Sequence, residues 1–288
     1  MDAAGLEEII EQVIARLAGG APPSPTALTL LLRCYGRTDR HDIQAALEPA
    51  LAVALDLHTQ AQSTSERAEW LVLFADVGTL SADDRLRGSV EGLVAGLRHE
   101  WGRSREIVSI ASSTEACLRV SGRLDLGSIA VDAIDELERI VGATYRPGAG
   151  LTGQEPAETP IVLADHIAVS SALLTAFEVS ARLPYSMLAE ELMQFARRRL
   201  WDETAGCFVD PDHAPDEVFR LNCRAARVML RLGALHRDAD YVAAAIIGPD
   251  AAYGQDAARI LVSQHAASCG LGADQAEYGL ALLEWLDL

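Results

Sequence analysis

The 288-residue chain sets 42 acidic side chains against 24 basic ones, a formal net charge of −18, and only 5% of its residues are aromatic. A surface that acidic repels nucleic acid and anionic lipid, so neither is an expected partner. No apolar run reaches the ~18 residues of a membrane span, and the acidic start MDAAGLEEIIEQV is unlike a secretion signal, which points to a cytoplasmic protein.

Every basic residue is Arg and Asn222 is the single Asn, a pattern that GC-rich coding explains without chemistry. The five cysteines, Cys34, Cys117, Cys207, Cys223 and Cys269, are odd in number and form no CxxC pair, so buried reduced thiols are expected. A chain of this length buries roughly three quarters of its unfolded surface. Its wealth of Ala and Leu and the absence of an alternating strand run predict an all-α fold.

Taken in order, the chain alternates two kinds of helix. Amphipathic segments cover about 5–18, 42–58, 83–101, 127–141 and 185–200, with a further one across 238–268 broken near Gly248-Pro249 and Gly254. Between them run mostly apolar helices. Their starts are placed by Ser24 before Pro25, Ser63 with Glu66, Ser112 with Glu115, Thr159 before Pro160, Asp216 before Glu217, and the neighbourhood of Gly272. The starts recur at intervals of about 40–60 residues, one helical hairpin each. The clearest hairpin runs from Thr159 to Asp210, with RLPYS as its turn.

Six helices apolar on most sides and six with one wet face fit two concentric rings, an (α/α)6 toroid formed by 1–288 as one domain. An open superhelical array of helix pairs is the competing architecture. Turns leading from inner to outer helices are short (GRTDR, SGRLD, HRDAD), whereas the returning connections, about 102–111, 142–159 and 201–215, are longer. Long connections gathered at one end place the cavity mouth at the N-terminal ends of the inner helices.

The run LADHIAVSSALLTAFEVSARLPYSMLAEELMQFARRRLWDETAGCFVD resembles the six-hairpin glycosidase-like superfamily. It is most similar to the helical domain that follows a thioredoxin-like domain in the spermatogenesis-associated thioredoxin-like proteins, and more distantly to N-acylglucosamine 2-epimerases. FRLNCRAARVMLRLGALHRDADYVAAA and DQAEYGLALLEW resemble the later hairpins of the same family. The likeness is good over about 160–288 and weaker over 1–150, where only the hairpin rhythm agrees. It implies the toroid and a carbohydrate-type substrate, although this sequence has no counterpart of the thioredoxin-like domain and lacks the long insertions that build sugar subsites.

Several residues are candidates for chemistry. Asp165 and His166 lie six or so residues past a helix start, as Asn222 does in the next hairpin, so both positions are expected to face the ring interior. A His beside a carboxylate there supplies an acid or base near neutrality, and the resemblance implies an acidic or His residue at the cavity near this point. The same pair can equally stabilise the helix start and pack between helices. Glu66 and Glu115 stand three residues after a Ser, the spacing of a capping box as well as of a cavity carboxylate. Asp274 joins Asp165, His166 and Glu115 as a possible catalytic group at the start of the last helix. Asn222, Gln275 and Arg67 offer polar binding groups, and Trp70, Tyr278 and Trp201 offer aromatic surface for a sugar. His265 and Cys269 share a helix face without further ligands, so no metal is expected, and no cofactor motif is present.

The resulting expectation is a small-molecule enzyme that hydrolyses or epimerises a carbohydrate or other polyhydroxylated substrate by carboxylate and His acid–base chemistry. A non-catalytic toroid binding a ligand or protein partner is the alternative. A cyclase on a related ring lacks its aspartate-rich motifs here.

Overall fold

The computed structural model describes residues 3–81, 83–122, 128–152, 162–210, 213–244, 251–268 and 275–287. Within them the chain is helical almost throughout. Six inner helices, α2 (Pro25–Thr38), α4 (Thr64–Gly78), α6 (Ile107–Ser121), α8 (Leu163–Ser180), α10 (Pro215–Leu235) and α13 (Gln275–Leu286), alternate with an outer layer. That layer comprises α1 (Ala3–Ala18), α3 (His41–Leu57), α5 (Asp84–Glu100), α7 (Ile129–Thr144), α9 (Leu183–Leu200) and a divided last member, α11 (Ala239–Ala244) and α12 (Tyr253–Ser268). The expected break in that last outer segment is present, its centre falling on 245–250, outside the described residues.

The inner helices touch one another in the order α2, α4, α6, α8, α10, α13 and back to α2, so the ring closes and an open array is excluded. Each outer helix packs on the inner helix before it, and the last inner helix, α13, takes α1 as its partner. The two ends of the chain therefore make the closing hairpin. Gly279 permits it: a Cβ there would stand 2.7 Å from Leu30 Cδ2 and 3.2 Å from Ile9 Cγ2. Gly279→Val is expected to lower stability by about 1–3 kcal/mol through overpacking at this seam, read as a drop in the urea midpoint.

Burial follows the two-layer pattern. Inner helix α8 keeps Leu163, Val169, Ser170 and Ala172 wholly out of water, whereas outer helix α7 buries one stripe (Ile129, Ala133, Leu137, Ile140). Cys34, Cys117, Cys207 and Cys223 are free, buried thiols; Cys269 lies outside the described residues. Among the described residues no helix is long and apolar enough to cross a membrane.

Two helix starts follow their sequence signals. Ser24 Oγ accepts the Ala27 N–H at 3.2 Å before Pro25, and Ser63 Oγ accepts the Glu66 N–H at 3.1 Å while Glu66 accepts from the Gln62 N–H. Three others differ. α6 begins at Ile107, so Ser112 is not its cap and Glu115 sits two turns inside the helix. α8 begins at Leu163 rather than beside Thr159, and α10 at Pro215, with Asp216 in its first turn. The RLPYS turn shrinks to Ala181 and Arg182, because Ala181 takes a left-handed conformation (φ 56°) and Pro184 belongs to the first turn of α9.

The sequence reading also omitted two small β-hairpins on the longer connections. Tyr145–Arg146 (β1) pairs with Gly150–Leu151 (β2), and Trp201–Asp202 (β3) with Cys207–Phe208 (β4), both antiparallel. Strands of two residues are too short to show alternation.

Candidate active site

A cavity of about 470 Å³ runs through the centre of the ring, lined by residues of all six inner helices. This is the size of an ordinary small-molecule pocket. Its charged wall is organised by three arginines of α10. Arg224, Arg227 and Arg231 follow one another at three and four residues, so they project from one helix face at successive depths.

Toward the N-terminal ends of the inner helices, Arg224 Nη2 donates to Glu69 Oε1 and to Glu277 Oε1, each at 2.7 Å. Thr26 adds a 3.2 Å bond to Glu69 Oε2. Burial pushes the Glu69 carboxyl up, and Arg224 counters only in part because the Glu277 carboxylate stands beside it. One turn on, Arg227 holds Glu284 with two bonds (2.9 and 3.0 Å) and Arg33 Nη1 adds a third at 2.5 Å. Burial alone would raise Glu284, but Arg227 and Arg33 override it and hold the group at about 2.

At the third level Arg119 binds Glu115 Oε1 through Nη2 (2.6 Å) and Nε (3.0 Å), Ser171 Oγ donates at 2.8 Å and Thr175 Oγ1 at 3.3 Å. Arg231 Nη1 lies 3.7 Å away. All these contacts fall on one oxygen, which leaves Oε2 for the cavity that Glu115 lines. Burial would raise Glu115 too; Arg119 and Arg231 outweigh it and hold the carboxylate at about 2. Facing these charges, α6 and α8 present small or aliphatic side chains, among them Val108, Ala116, Ala164, Ile167 and Ala168. Among the described residues no aromatic side chain lines the cavity.

Of the sequence-derived candidates, Glu115 reaches this cavity, and the earlier helix start is the reason. His166 does not face the interior as expected. Its Nδ1 meets the Val162 carbonyl at 2.9 Å, its Nε2 accepts the Leu151 N–H at 3.2 Å, and its ring stacks on Phe195, so β2 is fastened to α8. Gly150, at φ 72°, makes room: a Cβ there would lie 2.6 Å from His166 Nε2. Gly150→Ala is expected to cost on the order of 3 kcal/mol from the left-handed backbone and the clash together, measured by chemical denaturation.

Asn222 does the same work one hairpin later. Its Oδ1 accepts the Phe208 N–H, and its Nδ2 donates to the Phe208 and Val218 carbonyls, at 2.9–3.0 Å. The expected match between Asp165 and Asn222 is therefore displaced by one residue: His166 and Asn222 are the equivalent pair, each clamping the second strand of a β-hairpin. Every polar atom of Asn222 is engaged there, none toward the cavity. Asn222→Leu is expected to lower stability by about 2–4 kcal/mol, since the buried Phe208 amide and carbonyl lose their partners, and hydrogen exchange at Phe208 should accelerate.

Asp165 is half-buried near the N-terminal end of α8, where burial and the Glu106 carboxylate push it up to about 6. Arg67 is turned to Glu100 (2.5 Å) and Thr64, tying α4 to α5. Trp70 is 2% exposed and stacks on Phe74, and the Tyr278 hydroxyl donates to the Leu261 carbonyl inside the α12–α13 contact. Gln275 is buried at the first turn of α13, and Trp201 sits between Arg197 and Arg259 on the outer layer. None of these side chains lines the cavity. Asp274 lies outside the described residues, as do parts of the connections expected to form the mouth.

The residues that sequence reasoning missed are Glu69, Arg33, Arg119, Arg227, Arg231 and Glu284. The available signal was charge recurring on one face of helices otherwise apolar, every third or fourth residue in FRLNCRAARVMLR and seven residues apart in AEYGLALLEW.

No protein-family model matches the sequence, and no curated protein does. Solved structures do match. An unsaturated glucuronyl hydrolase specific for heparin is similar with a TM-score of 0.67 at 9% identity, over 99% of this chain and 98% of that one. The α-1,6-mannanase of a Salegentibacter species gives 0.66 at 11%, over 97% and 98%, and the unsaturated glucuronyl hydrolase of Streptococcus agalactiae gives 0.66 at 10%, over 100% and 93%. The chain therefore has the (α/α)6 toroid fold of these glycosidases. Likeness at such identity speaks for the fold alone.

Proposed function

We propose that the ring is a small-molecule enzyme acting in its central cavity on a carbohydrate or similarly polyhydroxylated compound. The observation that carries this reading is the opposite setting of two cavity carboxylates on adjacent inner helices: Glu69 is pushed up, while Glu115 is held at about 2. Environments that drive two carboxyls apart assign an acid and a base. Glu69 is the proton donor to a departing or ring oxygen, and Glu115, one oxygen tied by Arg119 and Ser171 and the other turned to the cavity, is the ionised base or nucleophile. Asp165, raised to about 6, lies outside the cavity wall nearer the helix N-termini and takes no part in this assignment. Neighbours named as carbohydrate hydrolases support the substrate class, and the resemblance to epimerases keeps epimerisation beside hydrolysis as the reaction.

The test is a panel of small glycosides and free sugars, scored for hydrolysis and for epimerisation across pH. Turnover should fall at high pH as Glu69 loses its proton. A second reading, ligand binding without catalysis, is favoured by the absence of an aromatic sugar platform in the described cavity wall. Saturable ligand binding with no turnover on any member of the panel would decide for it.

A further inference from the structure

Charge is unevenly distributed along the cavity. At the Arg224 level two carboxylates, Glu69 and Glu277, share one guanidinium. Farther toward the C-terminal ends of the inner helices the balance reverses: among the described residues Arg33, Arg119, Arg227 and Arg231 pair with the buried carboxylates Glu115 and Glu284, and Arg227 also lies 3.9 Å from Glu277. The remaining acid there, Glu178, has a side chain 59% exposed, and water screens its charge. The guanidiniums feel one another. Burial and Arg227 lower Arg33, with Arg119 adding to it, and burial and Arg119 lower Arg231.

Arg231 spends all three nitrogens on Ser171, Thr175 and Glu178, but the other three arginines are not saturated. Among the described residues Arg33 meets Glu284 through Nη1 alone, Arg119 commits Nε and Nη2 to Glu115, and Arg227 Nη1 has only Glu277 Oε2, at 3.9 Å. We propose that this half of the cavity is a subsite for a dianionic oxyanion, the phosphate group of a phosphorylated polyol. The proposal rests on the reading of the cavity as a substrate site and narrows its substrate class. The excess of positive charge, one if Glu178 is counted in full and more as water screens it, lies opposite the uncommitted guanidinium N–H groups and suits the −1.5 to −2 of a phosphate monoester near neutrality. Guanidinium forks suit its several acceptor oxygens. The free oxygen of Glu115 repels such a group, which confines the anion to the Arg33–Arg227 side and turns the polyol toward Glu115 and Glu69. With a protein this acidic overall, no general attraction for anions competes as an explanation.

Inorganic phosphate is the probe, titrated into the full chain at about pH 8 with sulfate and acetate at matched ionic strength, by calorimetry and thermal shift. Expected are saturable phosphate binding at least about tenfold tighter than acetate, and weakening at about pH 5.5, where phosphate becomes a monoanion while sulfate keeps its affinity. Arg33→Met should weaken phosphate by about tenfold or more, and Arg33→Lys by less. No saturable binding to the unmodified protein, equal affinity for acetate, or unchanged affinity in a folded Arg33→Met protein overturns the proposal. Should that variant not fold, Arg33→Gln makes the same discrimination. Phosphate binding that survives in a protein inactive on every sugar sinks the catalytic reading and leaves the subsite standing. Turnover without phosphate binding does the reverse.

Discussion

Glu69→Gln is expected to lower kcat by about 10²–10⁴-fold while the protein stays folded and KM changes little. The amide is close in shape to the carboxyl: its oxygen still accepts from Arg224, and the NH2 that replaces Oε2 donates to the Thr26 hydroxyl, so the α2–α4–α10 contacts survive. What it loses is the transferable proton. Burial and the adjacent Glu277 push Glu69 up, and a group so raised is protonated at pH values where an ordinary Glu is not. The alkaline limb of kcat/KM should therefore belong to Glu69 and disappear in the variant. A merely structural Glu69 would shift stability and leave that limb in place. Glu115→Gln should also abolish turnover, but with a measurable loss of stability. It removes the negative charge that compensates Arg119 and Arg231 inside the ring.

The ring was legible in the sequence because its signals are local and repeated. Ser24-Pro25 and Ser63 with Glu66 mark helix starts through hydrogen bonds made within four residues, and apolar helices alternating with amphipathic ones imply an inner and an outer layer. Signals of the same type misled where a competing start lay nearby. Ser112 and Glu115 have capping-box spacing, yet the chain turns helical five residues earlier at Ile107, and Glu115 becomes a cavity group. The site was harder to read because its chemistry is relational. Nothing in the local spacing of Glu69, Arg224 and Glu277 says that 155 and 53 residues of separation close into one contact. That follows only once the ring's circumference is fixed. His166 and Asn222 attracted notice as polar residues on apolar helices, and they are special, but for fastening β-hairpins whose two-residue strands leave no pattern.

Arg224→Leu is expected to destabilise the fold by about 2–4 kcal/mol. That is less than a fully buried pair would lose, because the Arg224 and Glu69 side chains keep 36% and 34% of their surface accessible. The pH dependence of this loss is the sharper measurement. In the unmodified protein Glu115 and Glu284 are held at about 2, below the ~4.3 of an unfolded Glu, so the stability they contribute is complete above about pH 4.5 and drains away as pH falls toward 2. Without Arg224, Glu69 loses the cation that offsets its burial and the neighbouring Glu277 carboxylate. The folded value of Glu69 rises further above the unfolded one, and a raised carboxyl gains stability as pH falls through it. Between neutrality and about pH 4.5, therefore, the variant should gain more stability on acidification than the parent, whose Glu69 is raised less. Arg224→Lys, which keeps a charge but cannot reach both carboxylates with one planar fork, should fall between them. If Arg224→Leu tracks the parent at every pH, the three-residue bridge contributes nothing to the fold, and Arg224 does not offset the burial that raises Glu69.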